Sequence, residues 1–347
     1  MIHLRIVAPH DTSDQVLELL EDSRSVINVI LLEGVARKPD GDVILCDVAR
    51  EDASVIIDDL RELGIPERGS ISMEYIDTQI SEAARRAVQH APGLPSDAVI
   101  WEDVESRSEE MTELSLTFMA FMIIAMLIAS VGILLDQPIL IVGAMVVGPE
   151  FGPLAGLCVA LVEKRRTLVR RSMLALAVGF PVGILVTVGA TAIFDGLNLI
   201  PDQFVPDDHP LTNFISKPDV FSAFVAFVAG IAGVLSLTSA KSGALVGVLI
   251  SVTTIPAAAN IGVATALSDS GEATGAALQL GVNLASIVAA GVSTLYIQRL
   301  VYLARRRRHL SDPARRSAGL NVGRSSHGSG AGPLPGPEEE TVRTSER

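Results

Sequence analysis

Glu150 stands inside a long apolar run, in Gly143-Ala-Met-Val-Val-Gly148-Pro149-Glu150-Phe-Gly152-Pro153-Leu-Ala-Gly156. A carboxylate at the centre of a membrane-crossing helix costs about 2.5–3.5 kcal/mol, so one that is retained there is a candidate for function. Proline has no N–H and clashes one turn back, so Pro149 and Pro153 predict an interrupted helix. The carbonyls freed by such a break must face protein or a water-filled cavity. Two readings of Glu150 follow: it lines a polar pathway, or it caps the freed amides of the second half-helix. Gly148, Gly152 and Gly156 suit a close helix contact as well as a break.

A second apolar segment repeats the theme. Gly243-Ala-Leu-Val-Gly-Val-Leu-Ile-Ser-Val-Thr253-Thr254-Ile-Pro256-Ala-Ala-Ala-Asn260 places a proline and several polar groups in mid-run, and Pro256 lies 103 residues after Pro153. The two regions then read as copies of one three-span unit. Because each copy has an odd number of crossings, the second must be inverted. Paired, Gly/Pro-interrupted segments in inverted halves point to a transport-type site near the bilayer midplane. The candidate lining is Gly148, Pro149, Glu150, Gly152 and Pro153 from the first copy, with Thr253, Thr254, Pro256, Asn260 and Asn283 from the second. For Asn260, Gln279 and Asn283 two roles stay open, pathway ligands or interhelical hydrogen bonds.

Other chemistries find less support. All six histidines (His3, His10, His90, His209, His309 and His327) fall outside the apolar runs, which removes Ser–His and His-rich metal chemistry from the membrane. A Ser239–Lys241 pair is conceivable, yet Lys241 fits an inner turn. Cys46 and Cys158 are too few for a disulfide framework or a thiolate metal site. No Gly-rich phosphate loop occurs; the Ala8-Pro9-His10-Asp11 turn reads as a helix cap. Neither an enzyme nor a bound cofactor or metal is expected.

These residues have to be positioned by two unlike regions. The chain has 347 residues, net charge −13 and 49% hydrophobic residues, with a mean hydropathy of +0.43. Of its 40 acidic and 27 basic residues, 25 and 10 lie before Leu116, whereas residues 116–296 hold 10 and 7. The acidic first part argues against nucleic-acid binding. The remainder is a polytopic α-helical membrane protein. Six spans are predicted: 116–135, 138–162, 172–194, 219–238, 242–267 and 275–303. Lys164, Arg165, Arg166, Arg170 and Arg171, then Lys241, then Arg305 to Arg308 fall on one side. By the positive-inside rule both termini are cytoplasmic and residues 195–217 lie outside. The first residues lack a basic segment leading into an apolar one, so no cleaved signal is expected.

Residues 1–80 read as strand, helix, strand, strand, helix, strand, the split pattern of an α+β ferredoxin-like domain. Asp11 or Ser13 is the expected cap of the first helix, and Pro39-Asp40-Gly41 the hairpin turn. Residues 81–115 are predicted as a polar helical stalk, with Trp101 either an interfacial anchor or packed on the first domain. The six-span region covers 116–304, and 305–347 a basic stop followed by a disordered tail from Ser311.

The run from Asp136-Gln-Pro-Ile-Leu-Ile-Val through Gly143-Ala-Met to Pro149-Glu-Phe-Gly-Pro153 resembles the membrane family called domain of unknown function 389. The resemblance covers residues 1–305 in layout, and its specific part is 136–156. It implies a small cytoplasmic α/β domain joined to a hydrophobic multi-span region. No role for Glu150 and no molecular activity come with it. The expected function is a transporter or channel in the inner membrane; the alternative is a membrane-anchored sensor whose first domain binds a small ligand. Expected partners are a small solute or ion, the lipid bilayer and a second copy of the chain, with no nucleic acid.

Overall fold

The computed structural model describes residues 1–91, 98–201, 215, 219–239 and 253–322. The first 75 residues form one sheet with helices on one face. The strands are β1 (Ile2–Ala8), β2 (Val26–Arg37), β3 (Asp40–Val48) and β4 (Ser70–Tyr75). Their order is β2-β3-β1-β4 and every neighbouring pair is antiparallel. Strand β3 therefore sits between the co-directional β1 and β2, as two interleaved β-α-β units require. Ile2, Leu4, Ile6 and Ala8 alternate onto the buried face. There they meet Val16, Leu19 and Leu20 of α1 (His10–Asp22) and Ile56 and Leu60 of α2 (Ala53–Glu62).

Local details differ from the sequence reading. Helix α1 is capped by Pro9 rather than Asp11 or Ser13: proline holds the required φ of −57°, and its carbonyl accepts from Thr12. The hairpin turn is tighter than expected, because Asp40 and Gly41 already belong to β3. After α2 ends at Glu62, Gly64 at φ 73° and Pro66 open an extra turn, α3 (Ile65–Arg68). Helix α4 (Glu82–His90) follows, capped by Ser81.

The predicted stalk is a packed element. Helix α5 (Trp101–Met111) buries Trp101, Val104, Glu105 and Ser108. Trp101 stacks edge-on with Tyr302 at 6.1 Å, and its backbone N–H donates to Ser54 Oγ of α2. The carboxylates of Glu105 and Glu109 bridge to Arg165.

The membrane region begins with α6 (Leu116–Leu134), capped by Ser115. It turns at Asp136 into α7 (Pro138–Val147), then α8 (Phe151–Glu163) and α9 (Arg166–Gly196). Next come α10 (Val220–Thr238), α11 (Thr254–Ala266) and α12 (Ser270–His309). Helices α6, α9, α10 and α12 are each long and apolar enough to cross a bilayer, and the pair α7 and α8, bent by 51°, makes a fifth candidate. The chain is thus a membrane protein with four to five candidate spans among the described residues, against the six expected. For the predicted fifth span, 242–267, residues 242–252 lie outside the described residues, as do Lys241 and the loop 202–214.

The helices on either side match in outline among the described residues. Helices α8 and α11 have 13 residues each and start 103 residues apart. Helices α6 and α10 have 19 residues each and start 104 apart. A left-handed residue follows both α8 and α11, Lys164 at φ 59° and Ser268 at φ 61°, and a long helix leaves from it. Each of α8 and α11 packs on both long helices, α9 and α12.

The C-terminal boundary differs from the reading at 305. Helix α12 continues to His309, and α13 (Ala314–Ser317) returns onto α1. Ala318 joins the core of the sheet domain. Arg315, fully buried, reaches Asp59 and, at 2.7 Å, Glu62 on α2. Arg306 reaches the same two carboxylates, and His309 Nε2 lies 2.7 Å from Asp59. Residues 311–322 are therefore ordered by paired charge, with no apolar period to announce it. Residues 323–347 lie outside the described residues.

Candidate functional site

The break between α7 and α8 follows from one proline. Gly148 precedes Pro149 and is extended (φ −63°, ψ 130°), because a residue before proline is pushed out of the helical region. Pro153, expected to interrupt the helix as well, does not. It occupies the third position of α8, where a missing N–H costs no intrahelical bond. Pro256 holds the same position in α11. Helices α8 and α11 therefore begin alike, each with a proline in its first turn, and their N-terminal ends carry partial positive charge.

Glu150 is 3% exposed. Although it directly precedes α8, its side chain makes no hydrogen bond to that helix, so it is not the cap that one reading required. The carboxylate crosses to the other half instead: Thr254 Oγ1, in the first turn of α11, donates to Glu150 Oε1 at 2.7 Å. Oε2 has no hydrogen-bond partner. Glu150 enters no ion pair among the described residues.

From Thr254 a chain of polar groups runs through the bundle. Asn283 Nδ2 donates to the hydroxyl of the adjacent Thr253 at 2.8 Å, and Gln279 Nε2 to Asn283 Oδ1 at 3.3 Å. Ser222 Oγ of α10 in turn donates to Gln279 Oε1 at 3.3 Å. Gln279 and Asn283 share one face of α12 because they are four residues apart. An unbonded amide in hydrocarbon costs several kcal/mol, so these bonds are what permits such groups here.

The structure thus brings together Glu150, Gly148, Pro149, Thr253, Thr254 and Asn283, with Pro256 in the turn that holds the threonines. It leaves three sequence candidates elsewhere. Gly152 packs against Met111 of α5, and Pro153 lies beside it in α8. Asn260 Nδ2 donates to Glu272 Oε1 at 2.8 Å, near the turn joining α11 and α12. Sequence reasoning missed Ser222 and Glu272. Ser222 also forms the capping box with Asp219 at the start of α10.

Gly148 is set by contact. A β-carbon there would fall 2.4 Å from Glu150 Oε2 and 2.6 Å from Ile255 Cγ1. Gly148→Ala is expected to cost about 1–3 kcal/mol by overpacking and to push the carboxylate off Thr254. A melting temperature equal to that of the wild type in detergent would contradict the contact.

Among the described residues no group of three or more His, Cys, Asp or Glu side chains could hold a metal ion. Cys46 and Cys158 are buried and unpaired. Burial pushes the Cys46 thiol up to about 12, which suits a core filler and not a nucleophile.

Residues 145–289 match the model of a protein family described as Domain of unknown function (DUF389), so the chain carries that domain and the resemblance holds. The matched stretch contains α8, α11 and the polar chain, and it excludes the sheet domain. No curated protein and no solved structure matches the chain.

Proposed function

We propose that this DUF389 protein is a transporter or channel for a small solute or ion, with its site where α8 and α11 meet and a regulatory ferredoxin-like domain on the cytoplasmic side. The observation that carries the reading is the Glu150–Thr254 bond between the starts of α8 and α11, continued by Thr253, Asn283, Gln279 and Ser222. A polar line of this kind destabilises an apolar bundle relative to hydrocarbon side chains, and intramembrane ionisable groups mark ion and substrate paths. The matching lengths and offsets of the two halves support an inverted repeat of three spans each, the architecture in which discontinuous helices form a midplane site. The basic residues after α8 and at the end of α12 favour cytoplasmic termini. Pathway residues under this reading are Glu150, Gly148, Pro149, Thr253, Thr254 and Asn283. Partners are the solute or ion, the bilayer and a second copy of the chain.

The test is flux of ions and small solutes in proteoliposomes, screened with and without a pH gradient. The reading expects at least one solute to move faster than in protein-free vesicles. The alternative is a membrane-anchored sensor, favoured by the buried charge cluster that ties the sheet domain to α12. It expects no flux in a broad screen, with ligand-induced thermal stabilisation of the protein.

A further inference from the structure

A cavity of about 1090 Å³ opens between the sheet domain and the end of α12. Its walls come from the end of α1, the starts of β2 and α2, the end of α4 and residues 301–314. Such a volume is at the upper end of small-molecule sites, which run from about 300 to 1,000 Å³.

The charges in the cavity are not equivalent. Each of its carboxylates is engaged with the protein. Asp22 accepts from Ser317 Oγ, and Asp312 Oδ1 accepts from the Ala314 N–H at 3.1 Å, with His309 Nδ1 3.8 Å from its other oxygen. Asp52 is raised by burial, opposed by a hydrogen bond from Ser25. Among the cations, Arg305 donates to the Glu51 carbonyl, His309 binds Asp59, and His90 Nδ1 is 2.7 Å from the Arg86 carbonyl. Arg24 and Arg308 differ: both are exposed in the cavity, and neither has a hydrogen bond or an ion pair to its guanidinium among the described residues. The unspent charge of the cavity is therefore two guanidinium groups, one from each side. Val301, Ala304 and Pro313 supply an apolar wall.

We propose that this cleft binds a phosphate-bearing organic anion, held by Arg24 of the sheet domain and Arg308 of α12, with its non-phosphate part against Val301 and Ala304. A guanidinium pairs bidentately with phosphate oxygens, which is why two unpaired ones facing a shared space select that chemistry over a neutral ligand. The room left beyond one phosphate is the reason for the organic part. Bound there, the anion joins the sheet domain to the helix that carries Gln279 and Asn283, and so acts on the membrane region from outside it. The site stands independently of what the membrane region moves. The phosphate has two sources, a soluble phosphorylated metabolite or the headgroup of an anionic lipid, since α12 passes from the bilayer into this cleft.

The test is calorimetric titration of the full-length chain in phosphatidylcholine nanodiscs with inorganic phosphate, AMP and ATP, repeated in discs containing phosphatidylglycerol. Saturable binding of AMP or ATP, tighter than that of inorganic phosphate, is expected if the source is soluble. Binding of none of these in phosphatidylcholine, with a melting temperature raised by phosphatidylglycerol, assigns the site to the lipid. In either case Arg24→Gln and Arg308→Gln should each weaken the effect about tenfold or more, as loss of a hydrogen bond to a charged group does. Lysine at both positions should recover part of it. Both side chains are exposed, so the melting temperatures without ligand should stay at the wild-type value. Equal responses in the wild type and the double glutamine variant, or no response to any phosphate compound or to phosphatidylglycerol, would overturn the proposal.

Discussion

Replacing Asp59 by alanine is expected to cost about 3–5 kcal/mol of stability, the size of effect seen when one partner of a buried ion pair is removed. Asp59 is fully buried and is shared by Arg306, Arg315 and His309. Without it, two guanidinium groups are left with Glu62 as their remaining buried carboxylate partner. The effect should carry a pH signature. Burial alone raises the Asp59 carboxyl, but the His309 hydrogen bond and the charges of Arg306, His309 and Arg315 outweigh it and hold the group below its ordinary 3.8. A carboxyl lowered on folding contributes stability in full above its unfolded pKa and loses it as pH falls through the folded one. The gap between wild type and Asp59→Ala should thus be constant from neutrality down to about pH 5 and close only below about 4. Glu102 acts in the opposite sense. Burial raises it to about 7 against the pull of Arg61 and Ser54, so its contribution is greatest below 4.5 and declines as pH rises to about 7. Thermal melts of both proteins across this range, with an unchanged melting temperature for Asp59→Ala at pH 7, would remove the charge cluster from the account.

Glu150→Gln should leave a folded, membrane-inserted protein whose flux has lost its pH dependence. Glutamine keeps an acceptor for the Thr254 hydroxyl, so the bond across the break survives and the stability change should stay within about 1 kcal/mol. What disappears is the titrating group. The neighbours that face it, Thr253 and Thr254 of α11 with Asn283 and Gln279 of α12, do not titrate and cannot replace it. A carboxylate with a purely structural role leaves the pH profile intact. Measured on the purified variant, the pH profile of flux separates the roles.

How much of this was legible in the sequence depended on whether the signal was local. The break at Pro149 was, because the conformation before a proline is restricted whatever surrounds it. The sheet domain was too, since Ile2, Leu4 and Ile6 alternate within one strand. Pro153 misled because its effect depends on where the helix starts, and in the first turn it removes nothing. The tail misled for a deeper reason. Arg315 is buried only because Asp59 and Glu62, about 250 positions earlier, neutralise it, and no periodicity encodes a pairing at that distance. Helix α5 reads as polar by composition, yet Glu105 and Glu109 face Arg165, and Ser108, Met111 and Thr112 cover Gly152 and Gly156. In the site, Glu150 and the two threonines were visible as polar groups in apolar runs. That Glu150 bonds to Thr254 and not to its own helix required the fold.

The central claim is that the meeting point of α8 and α11 lies on a path across the membrane. The direct measurement is the accessibility of a cysteine at Thr253, in a chain where Cys46 and Cys158 are replaced by alanine, to an impermeant thiol reagent applied to either side of proteoliposomes. The account predicts labelling of Thr253→Cys from both sides, slowed by the solute found in the flux screen. No labelling from either side under any condition that supports flux would contradict it.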